Sequence, residues 1–90
     1  MKKGFVSIII PSYNEASNIK LIYESLRNEF QSIDYDYEIY YINDGSTDRT
    51  LEEIKKLAEK SEHVKYISFS RNFGKEAAIL AGFQHARGDA

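Results

Sequence analysis

Three short polar clusters hold side chains that could do chemistry: Pro11-Ser12-Tyr13-Asn14-Glu15, Asn43-Asp44-Gly45-Ser46-Thr47-Asp48 and Ser70-Arg71-Asn72-Phe73-Gly74-Lys75. If the three meet, Tyr13 offers an aromatic face to a base. Glu15 and Asp44 accept hydrogen bonds from a base N–H or from ribose hydroxyls, and Arg71 and Lys75 meet phosphate oxygens. That chemistry is recognition of a nucleotide. Two common phosphate-binding patterns are missing, however. The first cluster has no glycine, so G-x-G-x-x-G fails, and no G-x-x-x-x-G-K-[ST] occurs. A phosphate cannot approach that loop as closely as glycine would allow. No nucleophile–base pair and no metal-ligand cluster is visible, so no catalytic residue is named.

Each cluster also has a purely structural use. Asp44-Gly45-Ser46 suits a turn with φ > 0 at Gly45, and Ser46 or Asp48 suits the cap of a following helix. Asn14 and Ser17 suit caps as well. Glu15 in a first helical turn is favourable whatever else it does. Asp44 stands earlier, at a strand's end, where a carboxylate has less structural reason to be, and ligand binding is the better reading. Arg71 and Lys75 fit a solvated surface or a phosphate site equally. His63 reads as a surface loop residue and His85 as a surface or core-edge histidine. Tyr35, Tyr37, Tyr40 and Tyr41 read as sheet packing.

The elements that must position these clusters alternate three times. Phe5 to Ile10 is a β-branched run bounded by Pro11 and apolar on both faces, as a covered parallel strand requires. Ile19, Ile22, Leu26 and Phe30 then recur at helical spacing. Glu38 to Ile42 predicts a second strand, and Thr47 to Lys60 a helix with Leu51, Ile54, Leu57 and Ala58 on one face. Val64 to Phe69 predicts a third strand. Lys75 to Ala86 predicts a helix whose Ala77, Ala78, Ala81 and Gly82 let it lie close to a sheet. Short connections imply an α/β fold, a three-layer Rossmann-like parallel sheet with strand order 3-2-1 and right-handed crossovers. In such sheets ligands bind beyond the carboxyl ends of the strands, where all three clusters fall.

Composition narrows the rest. Ninety residues make one small domain. A hydrophobic share of 42% with 29% charged residues is globular in character. The net charge of -2 gives no reason to expect a nucleic-acid partner. The absence of cysteine excludes a disulfide scaffold and thiolate metal sites, and fits a cytoplasmic location. The start is not a signal peptide, because Pro11 and polar residues interrupt the apolar stretch after Phe5.

Taken together, Ser7 to Glu15, Asn43 to Asp48 and Ser70 to Lys75, with Ala81-Gly82 and the closing Ala86-Arg87-Gly88-Asp89-Ala90, resemble one family. They are similar to the N-terminal motifs of inverting family-two glycosyltransferases of the GT-A fold. Within it they look like the polyprenyl-phosphate branch, the dolichol-phosphate mannosyltransferase and bactoprenol glucosyltransferase types. The likeness spans nearly the whole chain in order and spacing.

The resemblance implies that Pro11, Tyr13 and Glu15 line a nucleoside pocket, with Glu15 near the ribose. Asp44 would hydrogen-bond the base, and Arg71 and Lys75 would lie nearest the diphosphate. The family usually has Asp-Asp where this chain has Asn43-Asp44, and the retained aspartate is the one expected at the base. Residues 1–90 would be the nucleotide-sugar-binding N-terminal portion of a larger domain, cut before an Asp-x-Asp motif that holds Mg²⁺ or Mn²⁺. Asp89 is not a ligand for that cation. The implied partners are a UDP-sugar, with GDP-sugar as the alternative, and a lipid-phosphate acceptor. Two membrane helices further on would attach the whole protein to the cytoplasmic face of a membrane.

The ninety residues alone are expected to lack transferase activity. Without a fourth strand, the Val6 to Ile10 edge is expected to be exposed and to give a dimer, an exchanged segment or an aggregate joined there. A stand-alone nucleotide-binding or regulatory module is the alternative function. A receiver-like signalling domain is disfavoured, because Asn14-Glu15 and Ser70-Arg71 stand where that fold needs an acidic pair and an acceptor aspartate.

Overall fold

Strand and helix alternate as the pattern predicts: β1 (Phe5–Ser12), α1 (Ala16–Phe30), β2 (Asp36–Asn43), α2 (Thr50–Lys60), β3 (Val64–Ser68) and α3 (Lys75–His85). The computed structural model describes residues 4–88, so Asp89 and Ala90 of the closing motif lie outside the described residues. The three strands form one parallel sheet in the order β1-β2-β3, as expected. Among the described residues, no helix is long and apolar enough to cross a membrane.

The double-sided apolar pattern of the strands divides between two layers. Ile8 pairs with Ile39 and Ile10 with Tyr41, and these residues pack with Ile19, Ile54, Leu57 and Val64 under α1 and α2. Burying Ile19, Ile39 and Ile54, each with no exposure left, contributes about 1.5–3 kcal/mol apiece. Tyr41 is fully buried, and its hydroxyl donates to the Ile19 carbonyl at 2.8 Å. Burial pushes that phenol up to about 12. On the other face α3 covers β1 and β2. Ile42 and Ala78 are buried there, outside the first cluster. A Cβ on Gly82 would stand 2.4 Å from Ile9 Cγ2, so the small residues of α3 do permit a close approach.

Several boundaries move, each for a physical reason. β1 continues through Pro11 to Ser12 instead of stopping at Ile10. The Gly4 and Ser12 carbonyls both accept β2-side amides, so the odd-numbered residues between them turn their amide positions away from β2. Proline's missing N–H therefore falls on the sheet's outer edge and costs no ladder bond. α2 begins at Thr50, not Thr47, because the amides of Thr47 and Asp48 bond to the first loop. β3 ends one residue early, at Ser68, although the Phe69 N–H still donates to the Asn43 carbonyl. α3 ends at His85 as Ala86 turns extended.

β1 is an edge strand, but the edge is not unbroken from Val6 to Ile10. Beyond α3 the chain returns to it. The Gly88 N–H donates to Ser7 Oγ at 2.7 Å, and a Cβ at Gly88 would lie 2.5 Å from the Ser7 nitrogen. The Arg87 N–H donates to the buried Glu38, which also accepts the Ser7 hydroxyl at 2.6 Å. His63 is half-buried instead of a plain surface residue: its ring stacks on Tyr37, which stacks on Phe30.

Candidate functional site

The first two loops brace each other. Asn14 adopts φ 52, and its Oδ1 accepts the Thr47 and Asp48 amides at 2.8 and 3.3 Å. In return the Asn14 N–H donates to Ser46 Oγ, and the Glu15 N–H donates to the buried Thr50 hydroxyl at 2.9 Å. Asp48 Oδ2 accepts the Ala16 N–H, while its Oδ1 accepts both the N–H and the hydroxyl of Thr50. The Thr50 hydroxyl bond holds the Asp48 carboxyl below its ordinary range, against a smaller opposing effect of desolvation. The amides of Glu15 and Ala16, where α1 begins, thus find their acceptors on Thr50 and Asp48, where α2 begins. Asn14 does not cap α1 as expected; it ties the second loop down, and Ser17 lies inside the helix.

Asp44 governs the third loop. It is only 4% exposed, whereas Thr47 and Asp48 further along the turn are exposed. Its Oδ1 accepts the Phe73 N–H at 2.8 Å, and its Oδ2 accepts the Gly74 N–H at 3.1 Å and the Asn72 side-chain amide at 3.2 Å. Gly45 takes φ 68, and a Cβ there would lie 2.1 Å from the Arg71 carbonyl carbon. Glycine is therefore required twice over, for its dihedral and for space. Asn43 donates to Ser68 Oγ and accepts the Ser46 N–H, joining two strand ends.

Between the loops lies a cleft of about 400 Å³ lined by Pro11, Ser12, Tyr13, Glu15, Asp44, Asn72, Gly74 and Lys75. Five of the six residues singled out in the sequence meet there. Arg71 does not: its guanidinium lies over the Phe73 ring, 4.6 Å from the centroid. Lys75 opens α3, so a cation and a helix N-terminus line the cleft together with the carboxylates of Glu15 and Asp44. Glu15 also accepts the Asn18 side-chain amide at 2.8 Å. Ser12, Asn72 and Gly74 line the cleft as well, with no binding role evident from their residue types. Their position inside two of the three polar clusters was the available signal.

Volume alone would point elsewhere. A groove of about 610 Å³ separates α1 from α2, lined by side chains such as Lys20, Glu24, Arg27, Lys56 and Lys60. Those are charges at helical spacing on two solvated faces, and none of the three loops reaches them. The 400 Å³ cleft is the better candidate because three strand ends converge on it. Among the described residues, no group of three or more His, Asp or Glu could hold a metal ion. No metal role is assigned to them.

Residues 7–90 match the family described as glycosyl transferase family 2. The chain is 69% identical over 90 residues to a putative glycosyltransferase, CsbB, of Bacillus subtilis strain 168, covering all of this chain and 27% of that protein. It is 46% identical over 86 residues to the bactoprenol glucosyl transferase of Shigella phage SfV, covering 94% of this chain and 28% of that one. Among solved structures it resembles the mannosyltransferase PcManGT from Pyrobaculum calidifontis, in complex with GDP-Man and Mn²⁺. That match has a TM-score of 0.75 and 29% identity, and covers 99% of this chain and 26% of that one. The chain belongs to glycosyl transferase family 2 and has the architecture of the N-terminal part of a GT-A fold. It spans little more than a quarter of the length of the curated relatives it matches.

Proposed function

We propose that the chain is the nucleotide-recognition part of a glycosyltransferase that moves a hexose from a UDP-sugar to a polyprenyl phosphate with inversion at the sugar. The observation that carries this reading is the convergence of Pro11, Tyr13, Glu15, Asp44 and Lys75 on one cleft at the carboxyl ends of a parallel sheet. In this reading Tyr13 stacks on the base and Asp44 accepts its ring N–H. Glu15 accepts ribose hydroxyls, and Lys75 with the α3 N-terminus faces the diphosphate. Arg71 joins the diphosphate by leaving the Phe73 ring, a movement of one exposed side chain. The polyprenyl acceptor draws support from the relatives named as bactoprenol glucosyl transferases.

A divalent cation, Mg²⁺ or Mn²⁺, belongs to the whole protein in this proposal, and its ligands lie outside the described residues. Residues 1–90 alone bind nucleotide weakly and do not turn over. Attachment of the whole protein to the cytoplasmic face of a membrane belongs to the same proposal. So does a weak contact between two copies along the β1 edge.

Titration of the chain with UDP, followed by backbone amide NMR signals, tests the reading. Shifts confined to Tyr13, Glu15, Asp44, Arg71, Phe73, Gly74 and Lys75 are expected. Absence of shifts there with both UDP and GDP would overturn it. Radiolabelled sugar transfer by these ninety residues would contradict the assignment of the chemistry to other parts of the protein.

A further inference from the structure

Asn72 lines the cleft but has no part in the reading above. Its side-chain amide donates twice to one residue, to Asp44 Oδ2 at 3.2 Å and to the Asp44 carbonyl at 3.1 Å. A carboxylate offers about four acceptor directions, two on each oxygen. Among the described residues, the Gly74 N–H and the Asn72 amide take both directions on Oδ2, and the Phe73 N–H takes one on Oδ1. One acceptor direction is left, and it belongs to Oδ1.

That remainder limits what Asp44 can read. Uracil presents a single ring N–H between two carbonyls. Guanine presents two adjacent donors, the N1–H and the N2 amine, which need both carboxylate oxygens at once. Cytosine presents no ring N–H at that edge. A donor brought into the cleft and left without an acceptor loses more than a matched bond would gain.

We propose that Asn72 is a specificity-determining positioning residue: by occupying Oδ2 of Asp44, it restricts the cleft to a base with one ring N–H, uracil over guanine. The inference rests on the nucleotide reading and adds to it the residue that sets the choice of base. Asn72 need not touch the nucleotide to act this way.

The test is a parallel titration of UDP, GDP and CDP into the wild-type chain, Asn72→Ala and Asn72→Ser, with melting curves to establish that each variant folds. The wild type is expected to bind UDP about tenfold more tightly than GDP or CDP. Asn72→Ala opens Oδ2 and should narrow the UDP-to-GDP ratio to about twofold, chiefly by a gain in GDP binding. Asn72→Ser retains a hydroxyl donor and should recover part of the ratio. Equal UDP and GDP binding by the wild type overturns the inference. So does a ratio that stays unchanged while both affinities fall together, which is what a merely structural asparagine would give. If Asn72→Ala does not fold, the wild-type ratio and Asn72→Ser still decide. Binding of no nucleotide overturns the nucleotide reading itself and this inference with it. Binding of both with an unaltered ratio overturns the inference alone.

Discussion

Two buried carboxylates stand at opposite ends of β2, and they do different work. Glu38, 2% exposed at the strand's start, accepts the Ser7 hydroxyl and the Arg87 N–H. Asp44, 4% exposed just past the strand's end, accepts two backbone amides and the Asn72 side chain. Both are paired with hydrogen-bond donors, as buried charges must be. Burial and partners therefore do not tell a binding carboxylate from a structural one. What differs is the surroundings. Glu38 fastens the chain beyond α3 to the edge of β1. Its Oε1 is buried without a hydrogen bond among the described residues, and the Arg87 guanidinium stands 3.9 Å off. Asp44 holds a loop in place on the wall of an open cleft.

The largest expected effect comes from disturbing the Asp44 end. Gly45→Ala drives a methyl into the Arg71–Asn72 backbone and imposes a strained dihedral, and should destabilise the fold by at least about 2 kcal/mol. Urea denaturation would measure it, and a loss below half that value would mean the third loop does not rest on Gly45. At the other end, Glu38→Ala strands the Ser7 hydroxyl and the Arg87 amide and should cost about 1–3 kcal/mol. It should leave nucleotide-induced shifts at the cleft unchanged. Altered shifts would show that the two ends are coupled.

Much of this architecture is legible in the sequence, and what is not has a common cause. The period of Ile19, Ile22, Leu26 and Phe30 and the β-branched runs before and after it specify elements locally. The caps do not. Asn14 and Asp48 are ordinary capping types, yet each serves a loop more than thirty residues away, Asp48 while also accepting the Thr50 N–H that opens α2. The strand role of Pro11 depends on which side of β1 lacks a neighbour, which only the sheet decides. Asn72 is legible as part of a polar cluster, but its partner Asp44 lies 28 residues earlier. Arg71 shares its charge and its loop with Lys75, but its guanidinium lies over the ring of Phe73 and it is not among the residues lining the cleft.

A smaller effect concerns the brace between the first two loops. The Asp48 carboxyl titrates below its ordinary value of 3.8, so its contribution to stability is complete above that value and is lost as pH falls through the lower, folded value. Asp48→Asn should weaken the fold at pH 6 and flatten the acid limb of the stability profile. A limb that stays as steep as in the wild type would remove Asp48 as a contributor. Smallest of all is self-association through β1. Residues 87 and 88 cover one end of the edge and Pro11 offers no N–H at the other, so sedimentation should show only weak, concentration-dependent dimers. A stable dimer at low concentration would mean that a larger surface is involved.

The comparison of the two carboxylates rests most directly on one experiment: UDP titration of Asp44→Asn beside Glu38→Gln, each checked for folding by its melting curve. The amide at position 44 cannot accept as the carboxylate does, so Asp44→Asn should bind UDP at least about tenfold more weakly, while Glu38→Gln should bind as the wild type does. Equal loss in both variants, or unchanged binding in Asp44→Asn, would contradict the assignment of the cleft to the nucleotide.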